Sequence, residues 1–232
     1  MNLFYQPEIP NGIHHLDPEE SRHCAKVLRK KPGDLIQLTD GKGKRYHALL
    51  TESKPDKCSF KISSSEQEHP RSFYTHIALA PTKNPDRTEW FVEKAIEIGI
   101  DEISFILCDN SERAAIKTDR LEKLAVSAMK QSLRCTLTKI NHMVLVSEFV
   151  KTAKADSKFI AYVDQSNPDH LLKQVSPKSN YIVLIGPEGD FSKKELDMAI
   201  ETGYKKVSLG SNRLRTETAG LVACHILNLV NV

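Results

Sequence analysis

Short apolar runs with strand character alternate with helix-like amphipathic runs along most of this chain, from residue 76 onward. The strand-like runs are 76–80, 102–107, 158–163, 181–185 and 206–209. Helical patterns cover 86–98, 119–134, 192–202 and 216–229. Strands that alternate with helices pair in parallel, because each helix carries the chain back to the same edge of the sheet. The sequence therefore predicts an α/β fold with a largely parallel sheet covered on both faces.

Residues 1–64 have a different pattern, which is mostly strand-like with one helix. An N-cap, a proline and an acid at residues 17–20 predict a helix that runs to about Leu28. Strand patterns follow at 35–39, 46–51 and 59–63. The first two are joined by a glycine-rich hairpin turn, which favours a small β-barrel-like domain. A polar linker is expected at 65–72, and the expected domains are 1–68 and 73–232.

The composition excludes several kinds of protein. A net charge of +3 over 232 residues is too small for a polycation, so a nucleic-acid partner would have to meet a local basic patch. The five cysteines are scattered and the histidines show no ligand spacing, so we expect reduced thiols and no metal site. No apolar stretch approaches the ~18 residues that span a bilayer, and no signal-peptide pattern opens the chain. We expect a cytoplasmic protein without membrane contact.

Two glycine-bearing loops carry the functional prediction. One is IGPEGDFS at 185–192, and the other is LGSNRLRTETAG at 209–220. Each directly follows a predicted strand, and ligands of open parallel sheets bind where strands end. Neither loop has the glycine spacing of a dinucleotide-binding turn or of a P-loop, so those enzyme classes are disfavoured. A Gly-Pro-x-Gly turn between a strand and a helix is, on its own, more often a purely structural turn than a binding site. The residues by themselves predict only a small-ligand pocket.

The two loops, together with blocks upstream of them, resemble the SPOUT superfamily of methyltransferases. The chain is most similar to the RsmE family of 16S ribosomal RNA (uracil-N3)-methyltransferases. The upstream matches are Lys83, Arg87, Trp90, Lys94, Glu97, Gly99, Arg113, Gln131, Ser132 and Arg134. The N-terminal part, with His23, Val27, Leu28 and Arg29 before its strands, resembles the family's PUA-like RNA-binding domain. The resemblance covers essentially the whole chain.

The resemblance implies a C-terminal α/β domain tied in a trefoil knot, a homodimer, and S-adenosylmethionine as the cofactor. The positions that match the cofactor loops are Leu184, Gly186, Glu188, Gly189, Leu209, Gly210, Leu214 and Thr218. Methylation of uracil N3 requires loss of a proton, which a general base or a stabilised anion would assist. Arg215 and Glu217 flank the expected pocket and are the catalytic candidates. An acid at Glu217 would also complement a helix dipole for structural reasons alone.

The expected partner is 16S ribosomal RNA of the small ribosomal subunit, and basic residues are needed to meet its phosphates. Five basic residues and no acid occupy positions 22–31, although such a run is often only a solvated face. The candidate RNA contacts are Arg22, Lys26, Arg29, Lys30, Arg113 and Arg134.

The sequence departs from the family pattern at three places: Asp190 replaces a glycine, 211–213 replaces Pro-Arg-Ile, and Thr138 replaces a proline. Aspartate adopts positive φ less readily than glycine, so Asp190 is expected to affect the cofactor loop. Two alternative functions remain open at this point. One is 2′-O-ribose methylation of RNA on the same fold, and the other is RNA binding without catalysis.

Overall fold

The computed structural model describes residues 2–162 and 169–232. The chain forms two compact units, one made of residues 1–70 and 126–137, the other of residues 71–125 and 138–232. We refer to them as the N-terminal unit and the α/β unit. The strand predicted at 158–163 ends at Ala161, and its last predicted residue lies outside the described residues.

A four-stranded sheet forms the framework of the N-terminal unit. Its strands are β1 (Leu3–Tyr5), β2 (Leu35–Thr39), β3 (Lys44–Ser53) and β4 (Cys58–Gln67), in that spatial order. β1 is parallel to β2, and the other pairs are antiparallel. Gly41 and Gly43 have φ of 76° and 88° in the predicted hairpin turn. β4 runs into the stretch predicted as a linker, because the polar Ser65–Gln67 pairs with the start of β3.

The helix predicted after residue 17 is present but changes its winding part-way. α1 (Pro18–Arg22) continues as one π-helical turn, His23–Val27. The Asp17 carboxylate accepts a hydrogen bond of 2.8 Å from the Glu20 amide, as an N-cap does. Cys24 is fully buried and belongs to the apolar core of this unit. At the end of the same turn, Lys26 and Val27 are exposed.

A second segment, residues 126–137, belongs to the N-terminal unit although it lies far along the chain. The Thr39 hydroxyl donates to the Cys135 carbonyl over 3.0 Å, and Arg45 Nη2 donates to the Leu133 carbonyl over 2.7 Å. Lys130 forms an ion pair with the mostly buried Glu20. Side-chain donors therefore fix the backbone of a segment that no periodicity in the sequence assigns to this unit.

A six-stranded, wholly parallel sheet forms the α/β unit. Its strands are β5 (Tyr74–Leu79), β6 (Glu102–Leu107), β7 (Lys139–Leu145), β8 (Ser157–Ala161), β9 (Asn180–Ile185) and β10 (Lys205–Val207). Their spatial order is β10-β8-β9-β5-β6-β7. The prediction of an α/β fold with a parallel sheet is confirmed. β7 was not predicted, because it is an edge strand in which no side chain is fully buried, so no alternation of buried and exposed positions marks it.

Helices cover both faces of the parallel sheet. The helices along this part of the chain are α2 (Pro85–Ile98), α3 (Thr118–Gln131), α4 (Val146–Thr152), α5 (Leu171–Gln174), α6 (Lys193–Glu201) and α7 (Thr216–Leu229), and α3 belongs to the N-terminal unit from residue 126 on. α2 and α7 pack together where Gly220 permits it, since a Cβ there would stand 2.7 Å from the Phe91 ring. On the other face, Ala78 and Leu184 share a core with α4 and α6. The short helices α4 and α5 were not predicted.

None of the described helices is both long enough and apolar enough to cross a membrane. All five cysteines are buried thiols that form no disulfide bond with one another.

Candidate active site

A cavity of about 850 Å³ lies at the carboxyl ends of β8, β9 and β10, which are neighbours in the sheet. Its wall includes both glycine-bearing loops, the beginning of α7 and one residue of α2. The residues that line it are Arg87, Ala161, Tyr162, His170, 185–188, Asp190, 207–216 and Ala219. The two loops that the sequence analysis selected therefore converge on one cavity, because their strands end at the same edge of the sheet.

The loop after β9 is a tight turn that Asp190 closes. Its amide donates to the Pro187 carbonyl over 2.9 Å, and its φ is 62°. The Asp190 carboxylate accepts a hydrogen bond of 2.8 Å from the Phe191 amide, which supports this left-handed conformation. The departure from the family glycine is thus accommodated, because aspartate here adopts the positive φ that a glycine would supply.

Residues of the loop after β6 hold the same turn from the side. The Asn110 amide nitrogen donates to the carbonyls of Gly189 and Asp190 over 3.2 and 3.1 Å. The Asp109 carboxylate accepts from the Ser192 hydroxyl over 2.7 Å, and Ser192 also caps α6 in the predicted capping box. Sequence reasoning did not identify Asn110, because a single asparagine in a polar loop carries no pattern.

Glu188 lines the cavity and is half-buried. Its Oε1 accepts a hydrogen bond of 3.0 Å from the Lys83 amide, whereas its Oε2 is buried and has no hydrogen-bond partner among the described residues. Arg113 fixes the loop that supplies this amide, since its Nη2 donates to the Lys83 carbonyl over 2.9 Å. The Arg213 guanidinium donates to the Glu188 carbonyl over 3.3 Å. Glu188 is therefore held at both its side chain and its backbone.

The loop after β10 forms the opposite wall. Gly210 has φ of 136°, a conformation that favours glycine, and apart from its chain neighbours no atom of residues 2–162 and 169–232 lies within 4 Å of where its Cβ would stand. Leu209 and Leu214 are half-buried and line the cavity with apolar surface. This wall offers apolar side chains next to an open backbone, which suits a flat ring such as a purine.

The beginning of α7 joins the two loops. The Thr216 hydroxyl donates to the Gly186 carbonyl over 3.1 Å. Arg215 is the N-cap residue of α7, lines the cavity and is exposed. The mostly buried Glu217 does not line the cavity, and its Oε1 lies 3.9 Å from Nε of Arg87, which does. Arg87 matched a family block but was not among the candidate site residues.

The structure brings most, but not all, of the predicted cofactor residues to the cavity wall. Those that line it are Gly186, Glu188, Leu209, Gly210 and Leu214. Leu184 is fully buried in the core below, Gly189 is exposed beside Asn110, and Thr218 is half-buried on α7. The cofactor roles of all eight residues stay predictions.

The candidate RNA contacts are distributed over both units. Arg22, Lys26 and Arg29 are exposed in the N-terminal unit, where Lys30 is half-buried. Arg134 is half-buried in the same unit. In the α/β unit, the Arg113 guanidinium donates hydrogen bonds to backbone carbonyls. Within residues 2–162 and 169–232, no three His, Cys, Asp or Glu side chains form a group that could hold a metal ion.

Comparison with known protein families shows to which family the chain belongs. The family of RNA methyltransferase domains matches residues 69–228, which include the whole cavity wall. The family of RNA methyltransferase PUA domains matches residues 16–63. The chain belongs to the RNA methyltransferase family. The resemblance to RsmE enzymes drawn from the sequence is confirmed, as is the presence of a PUA-like N-terminal part.

Individual relatives agree with this assignment over nearly the full length. The chain is 32% identical to the ribosomal RNA small subunit methyltransferase E of Aquifex aeolicus, covering 98% of this chain and 99% of the relative. A probable rRNA-methyltransferase from Porphyromonas gingivalis has a similar crystal structure, with 39% identity, a TM-score of 0.93, and coverage of 100% and 98%. The ribosomal RNA small subunit methyltransferase E of Neisseria gonorrhoeae, solved bound to S-adenosyl methionine, is 26% identical with a TM-score of 0.88 and the same coverage.

Proposed function

We propose that this protein transfers the methyl group of S-adenosylmethionine to N3 of a uridine in 16S ribosomal RNA. The observation that carries the proposal is the cavity at the ends of β8, β9 and β10, which lies inside the matched RNA methyltransferase domain. Relatives along the whole chain are named as small-subunit ribosomal RNA methyltransferases, and one solved relative holds this cofactor.

The residues at the cavity fit S-adenosylmethionine. A volume of about 850 Å³ lies in the range of ligand pockets, ~300–1,000 Å³. The cofactor is cationic at its sulfonium and its amino group, and the buried, unpartnered Oε2 of Glu188 is a carboxylate oxygen suited to such a charge. Leu209 and Leu214 supply apolar walls for its adenine. When bound, the cofactor supplies an electrophilic methyl group, and the protein contributes mainly by positioning.

Arg215 is proposed to contact the RNA at the reacting base. It is exposed at the N-cap of α7 and lines the cavity, so its guanidinium can reach a phosphate or a carbonyl of the substrate. Arginine is always charged at physiological pH, can form two parallel hydrogen bonds to a phosphate, and can donate to a single carbonyl oxygen.

The proposed function is tested by binding and by mapping the product. Isothermal titration should detect S-adenosylmethionine binding, and 16S RNA from small subunits lacking the modification should gain one methyl group in vitro. Mass spectrometry of the digested RNA then distinguishes a base-methylated uridine from a ribose-methylated one. Methylation at a ribose would replace the proposed reaction with the 2′-O alternative, and absence of cofactor binding would leave only an RNA-binding protein.

Replacing Glu188 with glutamine is expected to weaken binding of S-adenosylmethionine about tenfold, the equivalent of ~1.4 kcal/mol. Glutamine keeps an oxygen that can accept the Lys83 amide hydrogen bond, but removes the negative charge of a residue that lines the cavity. Titration calorimetry measures the change. The Glu112→Gln variant is the matched control, because Glu112 pairs with the Lys83 side chain and does not line the cavity. An unchanged affinity in Glu188→Gln would contradict the role of this carboxylate.

The exposed basic residues of the N-terminal unit are proposed to bind RNA phosphates. The variant Arg22→Gln/Lys26→Gln/Arg29→Gln should bind 16S RNA more weakly than wild type. The slope of log affinity against log salt concentration is negative. Its magnitude should decrease by about one for each removed charge that had contacted a phosphate. Filter binding at several salt concentrations measures it, with exposed Lys151→Gln/Lys154→Gln in the α/β unit as the control. An unaltered slope in the triple variant would exclude these residues from the RNA contact.

We also propose that the α/β domain is knotted and that the protein is a homodimer. The support for both is the membership of the RNA methyltransferase family. Light scattering after size-exclusion chromatography measures the mass of the particle. A mass near the 26.1 kDa of one chain at micromolar concentration would contradict the dimer.

A further inference from the structure

Arg87 differs from the other arginines that line the cavity because its guanidinium lies next to a mostly buried carboxylate. It belongs to the first turn of α2, and its side chain is 42% exposed. The side chain of Glu217, from the first turn of α7, is only 10% exposed, and its Oε1 lies 3.9 Å from Arg87 Nε. Arg213 instead contacts a backbone carbonyl, and Arg215 is an exposed N-cap.

This pairing decides which of the two residues can act at the cavity. Arg87 lines the cavity and Glu217 does not, so the carboxylate can influence a bound substrate only through the guanidinium. A mostly buried carboxylate requires a partner of opposite charge or a set of hydrogen bonds. Glu217 therefore serves as an anchor that limits the positions available to the Arg87 side chain.

The chemistry of uracil explains why a fixed cation would be useful here. The N3 nitrogen of neutral uracil carries a proton, and its lone pair is delocalised into the two flanking carbonyls, so it is a poor nucleophile. Loss of the proton creates an anion whose charge is shared by N3 and both carbonyl oxygens. A preorganised donor next to such an oxygen stabilises the charge as it develops, which is the effect of an oxyanion hole.

We propose that Arg87 is a catalytic residue that donates hydrogen bonds to a uracil carbonyl beside N3, and that Glu217 is a positioning residue for its guanidinium. The inference rests on the proposed function. The N3–H bond breaks and the proton passes to solvent water. The electron pair left on N3 forms a bond to the methyl carbon of S-adenosylmethionine. At the same time the bond between that carbon and the sulfur breaks, and its electron pair remains on the sulfur.

Arg87→Ala tests the proposal directly. Its kcat for 16S RNA methylation should fall at least ~100-fold at pH 7, the loss typical of removing one oxyanion donor. The affinity for S-adenosylmethionine should stay within about threefold of wild type, because the lost interaction is made to the uracil. The rate of the variant should continue to rise with pH after the wild-type rate has levelled off, since alkali generates the N3 anion without help from the protein.

Two further variants separate positioning from simple charge. Glu217→Gln keeps the shape but releases the guanidinium, so kcat should fall about tenfold with the same change in pH profile and unchanged cofactor affinity. Glu217→Asp, which retains the charge, should recover part of the rate. Arg120→Ala is the control, because Arg120 also pairs with an acid, Glu89 of α2, and neither residue lines the cavity. Its kcat should equal that of wild type.

The outcomes distinguish this inference from the function on which it rests. If the wild-type protein neither binds the cofactor nor methylates uracil N3, the proposed function fails first. If the wild type methylates and Arg87→Ala does so at the same rate, only the role of Arg87 is refuted. A parallel loss of cofactor affinity and rate in Arg87→Ala would assign the side chain to the cofactor and likewise overturn the inference.

Discussion

Replacing Gly186 with valine is expected to raise the Kd for S-adenosylmethionine at least ~100-fold, a loss of ~2.7 kcal/mol. Gly186 lines the cavity at the end of β9, and its carbonyl accepts the hydrogen bond from Thr216. A Cβ at this position would stand 3.0 Å from the Phe191 ring and 3.3 Å from the Asp190 carboxylate. Phe191 is buried in the core and cannot retreat freely, so the added methyl groups must displace the loop.

Titration calorimetry on the folded variant measures this effect, and circular dichroism confirms that the variant is folded. Gly186→Ala is the graded comparison and should lose less affinity, because a single methyl group needs a shift of only a few tenths of an ångström. Gly203→Ala is the control, since Gly203 has φ of 92°, does not line the cavity, and should change stability without changing affinity. Cofactor binding by Gly186→Val at wild-type strength would show that the pocket is wrongly placed.

The parallel sheet was predictable because its buried strands are continuous apolar runs. β5, β6, β8 and β9 were each recognised in this way, and α7 was recognised from its apolar stripe. The elements that were missed are β1, β7, α4 and α5. Each of them is short or lies at the edge of a sheet, so it offers too few positions for a periodic pattern to be recognised. The addition of residues 126–137 to the N-terminal unit rests on side-chain hydrogen bonds and on a short backbone bridge, in which the Gly43 amide donates to the Cys135 carbonyl over 2.8 Å. Such isolated contacts leave no periodic signal in the sequence.

The location of the cavity was predictable for a topological reason, whereas its polar contacts were not. Two loops that follow neighbouring parallel strands must meet at one edge of the sheet, so the glycines alone indicated the place. Nothing in the spacing of Glu188 and Lys83 indicates that a backbone amide at 83 meets a carboxylate at 188. The pairing of Arg87 with Glu217 likewise depends on α2 and α7 packing against each other, which only the assembled fold reveals.

The protein is expected to lose stability already in mild acid, at pH values above those at which most carboxylates become protonated. The reason is that His76 is buried in the parallel sheet. Its Nε2 lies 2.8 Å from the Ser104 hydroxyl, and its ring packs edge-on against Phe149. Burial lowers the pKa of His76 to about 4, from an ordinary value of 6.5. The Glu102 carboxylate, 3.9 Å from Nδ1, opposes this shift and Lys139 reinforces it, so desolvation outweighs the attraction of the acid.

Between pH 6.5 and 4 the unfolded chain binds a proton at His76 that the folded chain excludes, so the free energy of unfolding falls as the pH falls. From pH 7 to pH 5 this residue should remove about 2 kcal/mol, which urea denaturation at a series of pH values measures. His76→Gln, whose amide can still bond to Ser104, should flatten this dependence, whereas His225→Gln at an exposed position should keep it. Equal losses in His76→Gln and wild type would show that protonation of His76 is not what limits stability in acid.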